Sequence, residues 1–167
     1  MKPKRISVIP EACAGCRNCE IACAMTLYKV NNPKKAAIRI VSLFPDPAVN
    51  SPSVCHQCDP APCQDACPTG AITRDELGVI DISTETCIMC LACVEVCPWG
   101  AMFVHDDLST PIVCNLCGYS KDGTEPACVQ WCPKNALKFE PTTAIGDSRR
   151  ILQAKKMAKA VAEEAGD

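Results

Sequence analysis

Along most of the chain the apolar positions come in short runs broken by polar or proline-rich stretches. "KRISVIP" near the start alternates, with Ile6 and Val8 on one side, and predicts a short strand. "CRNCEIACAMTLYKV", residues 16–30, changes to a helical period, with Ile21, Met25 and Tyr28 at helical spacing. "NNPKK" breaks that helix. "AAIRIVSLF" reads as a strand and "PDPAVNSPS" as a proline-rich loop. "AITRDELGVIDI" predicts a hairpin with Gly78 in the turn, "AMFVHDDLSTPIVC" a looser hairpin or loop, and "ALKFEP" a last short strand. The tail "GDSRRILQAKKMAKAVAEEAGD" predicts a helix that Asp147 or Ser148 caps. Its mild apolar stripe is Ile151, Ala154, Ala158, Val161 and Ala165, flanked by Arg149, Arg150, Lys155, Lys156 and Lys159. Such a helix lies on its own protein's surface or docks a partner chain.

Composition changes the picture. Of 167 residues, 16 are cysteine, while Phe, Trp and Tyr number only three, two and two. Large side chains therefore supply little of the core, and the cysteines are the scaffold. Dense cysteine serves either disulfides, which need an oxidising compartment, or metals. The start, "MKPKRISVIPEAC", is basic but holds no apolar run of signal-peptide length and no twin arginine. No stretch approaches the roughly 20 apolar residues of a membrane span. The expectation is a cytoplasmic protein with reduced thiols, and hence metal.

The cysteines fall into four sets: Cys13, Cys16, Cys19 and Cys23; Cys55, Cys58, Cys63 and Cys67; Cys87, Cys90, Cys93 and Cys97; Cys114, Cys117, Cys128 and Cys132. Every set opens with two residues between its first two cysteines and closes with three between its last two; only the middle gap varies, from two to four to ten. This is an internal repeat with no cysteine left over. C-x2-C-x2-C wraps three corners of a cubane of iron and sulfide. The fourth cysteine, three residues on, has entered a helical turn and points away, so that in two-cluster ferredoxins it ligates the other cluster. Pro68, Pro98 and Pro133 follow the last cysteine of the second, third and fourth sets, whereas Ala24 follows Cys23. Zinc is the rival. It is usually held by two C-x2-4-C pairs across a longer spacer, a form the fourth set resembles and the first and third do not. No C-x3-C-x2-C leaves an iron open for radical chemistry. G-x-G-x-x-G and G-x-x-x-x-G-K are both absent. Electron transfer remains, without catalysis by this chain.

Four sets with these gaps, in this order, resemble the four-cluster iron–sulfur subunits of the dimethyl sulfoxide reductase and formate dehydrogenase type. They are also similar to the small relatives attached to hydrogenases, carbon monoxide dehydrogenase and tungsten aldehyde oxidoreductases. The resemblance covers about residues 5–140. It implies four [4Fe-4S] clusters and a nested pairing. Cys13, Cys16, Cys19 and Cys132 would hold cluster one, and Cys114, Cys117, Cys128 and Cys23 cluster two. Cys55, Cys58, Cys63 and Cys97 would hold cluster three, and Cys87, Cys90, Cys93 and Cys67 cluster four.

The expected fold is α+β: two interleaved units like bacterial ferredoxins, built of short strands, short helices and cluster-binding loops, plus a C-terminal helix. Residues 1–50 with 101–145 form the first unit, 51–100 the second, and 146–167 the helical tail. A formal charge of −2 falls to roughly −10 when each cluster with its thiolates adds about −2. That disfavours nucleic acid and suits a basic patch on a protein partner. The implied partner is a large catalytic chain of molybdenum, tungsten or hydrogenase type, with a flavin protein or ferredoxin as a further donor or acceptor. A freestanding polyferredoxin is the alternative, and head-to-tail self-association is a further possibility. His56 in "CHQC" is expected to tune a nearby cluster rather than ligate it, and Asp59–Pro60 to shape the loop. Trp99 and Trp131 are expected to shield clusters from water.

Overall fold

The structure is a computed structural model and describes residues 3–45, 48–145, 150, 151 and 154. The tail helix expected over 146–167 lies almost wholly outside these residues. The described chain is α+β, with three separate two-stranded antiparallel ladders and single helical turns around the cysteine loops.

Strand β1 (Lys4–Val8) pairs with β6 (Leu137–Pro141), Ile6 facing Phe139, so the ladder joins the two ends of the cysteine-bearing chain. The alternation read from Ile6 and Val8 holds only in part, since Ile6 is buried and Val8 half-buried. Helix α1 spans Asn18–Tyr28, two residues inside each expected end. Arg17 before it and Lys29 after it are both left-handed, and the Lys29 N–H closes the last turn on the Met25 carbonyl. Strand β2 (Ile38–Leu43) pairs with β3 (Val49–Val54), which corrects the loop expected over 45–53. Pro52 sits within β3 opposite Ile40. A proline is tolerated there because the ladder has only two strands, so each has one edge that lies outside the ladder. Burial of Pro52 and Val54 outweighs the poor strand propensity of "NSPS".

Strands β4 (Ile72–Arg74) and β5 (Ile80–Ile82) make the expected hairpin. Gly78 has φ +71° and donates its N–H to the Asp75 carbonyl. The looser hairpin after the third set reduces to one bridge, Phe103 to Ile112. Turns α2 (Pro62–Asp65), α3 (Ala92–Glu95), α4 (Tyr119–Asp122) and α5 (Ala127–Gln130) complete the fold.

The core is made mostly of alanine, cysteine and aliphatic side chains. Ile38, Ile80, Ile112 and Leu116 are its largest fully buried apolar members besides Pro126. Each contributes about 1.5–3 kcal/mol. One buried group joins Ile6, Ala24, Ala36, Ile38, Val54, Ile112, Leu116 and Leu137 with Cys19, Cys23, Cys114 and Cys128. A second joins Ala61, Ile72, Ile80, Met102 and Val113 with Cys93. Cysteine thus stands inside both cores, where a larger domain would place leucine or phenylalanine.

Candidate iron–sulfur centres

Each loop that opens a set bends through left-handed residues. They are Gly15 and Arg17 in the first, Gln57 in the second, Met89 and Leu91 in the third, and Leu116 and Cys117 in the fourth. This conformation is uncommon outside glycine. Here it recurs where the chain must turn several thiols toward one centre.

In the last three sets the third cysteine, Cys63, Cys93 or Cys128, lies in the helical turn α2, α3 or α5. The fourth comes just past the turn, which corrects the expectation that it sits inside. There "CPTGA", "CPWGA" and "CPKNA" form one repeated turn: Gly70, Gly100 and Asn135 are left-handed and donate N–H to the carbonyls of Cys67, Cys97 and Cys132. The turn aims further N–H groups at sulfur, from Ala101 to Cys97 Sγ at 3.4 Å and from Ala136 to Cys132 Sγ at 3.3 Å. The first set departs because α1 continues for a turn beyond Cys23, leaving no place for proline. Cys23 Sγ instead accepts from the N–H of Ala37, 3.2 Å away. Such bonds favour the thiolate and tune a cluster's potential.

Cysteines of different sets meet. Cys13, Cys16, Cys19 and Cys132 line one hollow, with Ile40, Pro52 and Leu137 at its walls. Cys67, Cys87, Cys90 and Cys93 line another, with Ile72, Ile82 and Leu91. Cys55 lies within electrostatic reach of Cys63, Cys58 and Cys97. Cys128 lies within reach of Cys23 and Cys117, and Cys114 of Cys128 and Cys23. Among the described residues no three histidine, cysteine or carboxylate groups converge tightly enough for a single ion. Four thiols bordering one hollow suit the corners of a cubane.

Burial pushes the Cys19 thiol up to about 12, with the Glu20 carboxylate and neighbouring thiols adding, and those of Cys23 and Cys55 up to about 11, with neighbouring thiols adding. Cys114 and Cys128 are likewise raised well above the ordinary thiol value by burial and neighbouring thiols. Bare thiolates are unfavourable in these places, and bound iron would supply the positive charge that keeps them ionised. The donor set, the matched hollows and the N–H groups aimed at sulfur fit [4Fe-4S] clusters.

Two polar residues that the sequence left unremarked hold the loops in place. Gln57 is buried within the second set's first loop; its Nε2 donates to the Cys114 carbonyl, and its Oε1 accepts from the Ile80 N–H at 2.8 Å. Glu20 is also buried, accepting from the Ile40 N–H at 2.7 Å and lying 3.7 Å from Arg17. Nothing in a lone Gln beside His56, or a Glu early in a helix, signals burial. His56 stacks on Trp99 with ring centroids 4.1 Å apart, pairing the second set's first loop with the residue two beyond Cys97. Trp99 and Trp131 are 53% and 61% exposed, so neither is a buried lid. Asp59 pairs with Arg74 at 3.0 Å. No helix among the described residues is long and apolar enough to cross a membrane.

Comparison with known proteins agrees with this chemistry. The sequence model of the 4Fe-4S dicluster domain matches residues 48–142. The polyferredoxin-like subunit of the aliphatic sulfonate oxidoreductase of Pyrococcus furiosus is 37% identical over 138 residues, 80% of this chain and 76% of that one. The NrfC homolog of Haemophilus influenzae is 35% identical over 167 residues, 90% of this chain and 72% of its own length. The electron transport protein HydN of Escherichia coli K12 is 35% identical over 146 residues, 75% of this chain and 81% of HydN. The chain belongs to the 4Fe-4S dicluster family. It is an iron–sulfur electron-transfer subunit carrying four [4Fe-4S] clusters.

Proposed function

We propose that this chain relays single electrons to or from a larger catalytic chain of molybdenum, tungsten or hydrogenase type, with a flavin protein or ferredoxin at the other end of the relay. The observation that carries the reading is the pair of matched hollows, each bordered by three cysteines of one set and the last cysteine of another. It supports Cys13, Cys16, Cys19 and Cys132 as the ligands of cluster one, and Cys87, Cys90, Cys93 and Cys67 as those of cluster four. Proximity of thiols supports Cys114, Cys117, Cys128 and Cys23 for cluster two, and Cys55, Cys58, Cys63 and Cys97 for cluster three. In this reading residues 1–50 with 101–145 form one ferredoxin-like unit and 51–100 the other.

When bound, the clusters supply one-electron acceptors in a row. The protein's own residues set the order of that row. Cys19 neighbours Cys128, Cys55 neighbours Cys114, and Cys63 neighbours Cys93, which supports the order one, two, three, four. Burial of Cys114, Cys128 and Cys23 keeps water from the middle of the row, while Cys16 and Cys90 are exposed and leave its two ends open. Backbone N–H groups at Cys23, Cys97 and Cys132 stabilise the negative charge that each added electron increases.

The test is anaerobic purification of the native protein, with iron and sulfide analysis of every fraction. Co-elution with a large chain and about sixteen irons per copy supports the reading. A small brown protein that elutes alone indicates a freestanding polyferredoxin instead. Zinc in place of iron would end both readings.

A further inference from the structure

The two halves of the chain carry opposite charge. Residues 51–100 hold one basic side chain, Arg74, against seven acidic ones, a net −6. Residues 1–50 with 101–145 hold eleven basic against eight acidic, a net +3. Two bound clusters in each half, at about −2 apiece with their thiolates, would leave roughly −10 and −1.

The contrast is sharpest at the two ends of the row. Around the hollow of cluster one, Arg17 follows the exposed Cys16 and Lys134 lies two residues beyond Cys132; both line it, Glu20 is buried against Arg17, and the exposed Glu11, two residues before Cys13, is the acid of this end. In the sets that frame clusters three and four, Asp65 lies midway between Cys63 and Cys67, Glu85 two residues before Cys87, and Glu95 midway between Cys93 and Cys97. All three carboxylates are exposed, and among the described residues none is in a salt bridge. The one arginine of this half is spent on Asp59. Ile88, 64% exposed, lines the cluster-four hollow beside the exposed Cys90. An exposed apolar side chain at the mouth of a site, in an acidic part of the chain, suits a protein docking surface.

We propose that the cluster-four end, with Ile88 and Cys90 exposed at its hollow and Asp65, Glu85 and Glu95 exposed in the sets that frame it, docks a basic one-electron carrier protein. The cluster-one end faces a different partner. This rests on the electron-transfer reading above and adds the chemistry of the partner at one end. The unequal charge of the two halves orients the molecule in a partner's field, so that a basic partner is drawn to the more acidic outlet. Steering of this kind acts over about a Debye length, roughly 8 Å at physiological salt.

The test uses the oxidised four-cluster protein and oxidised mitochondrial-type cytochrome c as a basic probe, so that binding is read without electron flow. Calorimetry is run at low and high salt. Binding should weaken steeply with salt, and the double variant Glu85→Gln, Glu95→Gln should weaken it roughly fivefold at low salt. The charge-matched control, Asp106→Asn with Glu125→Gln in the other half, should leave it unchanged. Stopped-flow oxidation of the reduced protein by the same probe should follow the same order. Equal loss in both double variants would mean that only net charge matters and would overturn the assignment. So would binding indifferent to salt, or light scattering that grows with concentration and vanishes in the Glu85, Glu95 variant, which would make a second copy the occupant. A preparation that accepts no electrons from dithionite would instead overturn the relay beneath it.

Discussion

Replacing Cys97 by alanine separates the nested pairing from a scheme in which each set closes its own cluster. Cys97 belongs by sequence to the third set, yet its thiol lies within electrostatic reach of both Cys55 and Cys63 of the second. The variant should therefore damage cluster three and spare the cluster beside its own motif. The size of the loss is set by stoichiometry. With three ligands left, the site keeps three irons or empties, so the total falls from about sixteen to between about fifteen and twelve. The assay is alkylation of the native protein with iodoacetamide, read peptide by peptide by mass spectrometry. Cys55, Cys58 and Cys63 should become labelled, while Cys87, Cys90 and Cys93 stay protected. Cys67→Ala should give the reverse pattern, because Cys67 lines the same hollow as Cys87, Cys90 and Cys93. Labelling of Cys87, Cys90 and Cys93 in the Cys97 variant, with the second set protected, would refute the pairing.

Gln57→Ala should lower the melting temperature of the four-cluster protein without removing iron, since the buried Ile80 N–H loses its acceptor at a cost of about 1–3 kcal/mol; a melt followed at the cluster absorbance checks it. Gly78→Ala should cost about 1–2 kcal/mol in the same melt. A side chain at φ +71° is strained, and the new Cβ would come within 2.8 Å of the Arg74 guanidinium and 2.9 Å of that of Arg5. Cluster assembly at neutral pH should release about four protons per cluster in a weakly buffered titration, because the free thiols are protonated and the ligands are thiolates. Burial raises Cys19, Cys23 and Cys55 from 9.0 to about 12, 11 and 11, so their contribution to the cluster-free fold is present below pH 9.0 and lost as pH rises through 11 and 12. Circular dichroism of the iron-free protein should show any residual structure disappearing across that range. Chelating the iron at neutral pH should abolish most of the far-ultraviolet signal, since so few large apolar side chains remain to hold the chain.

Cysteine spacing was enough to read four sites and sixteen ligands, because a cubane demands three thiols on one tight loop and that demand is local. The α1 helix, the 72–82 hairpin and the strands at 4–8 and 137–141 were legible for the same reason: their periods and turn residues act over a few positions. Strand β3 was not, because "NSPS" has no strand character until β2 offers its backbone and Ile40 stands opposite Pro52. The burial of Gln57 and Glu20 was equally hidden. Each answers a backbone N–H at least 20 residues away, Ile80 for Gln57 and Ile40 for Glu20. Nor does the spacing say that Cys132 lines the hollow of Cys13, or Cys67 that of Cys90. Ligand number is a property of short chain segments. Which ligands meet, and which end of the row is acidic, depends on contacts between segments far apart in the chain, and these exist only once it has folded.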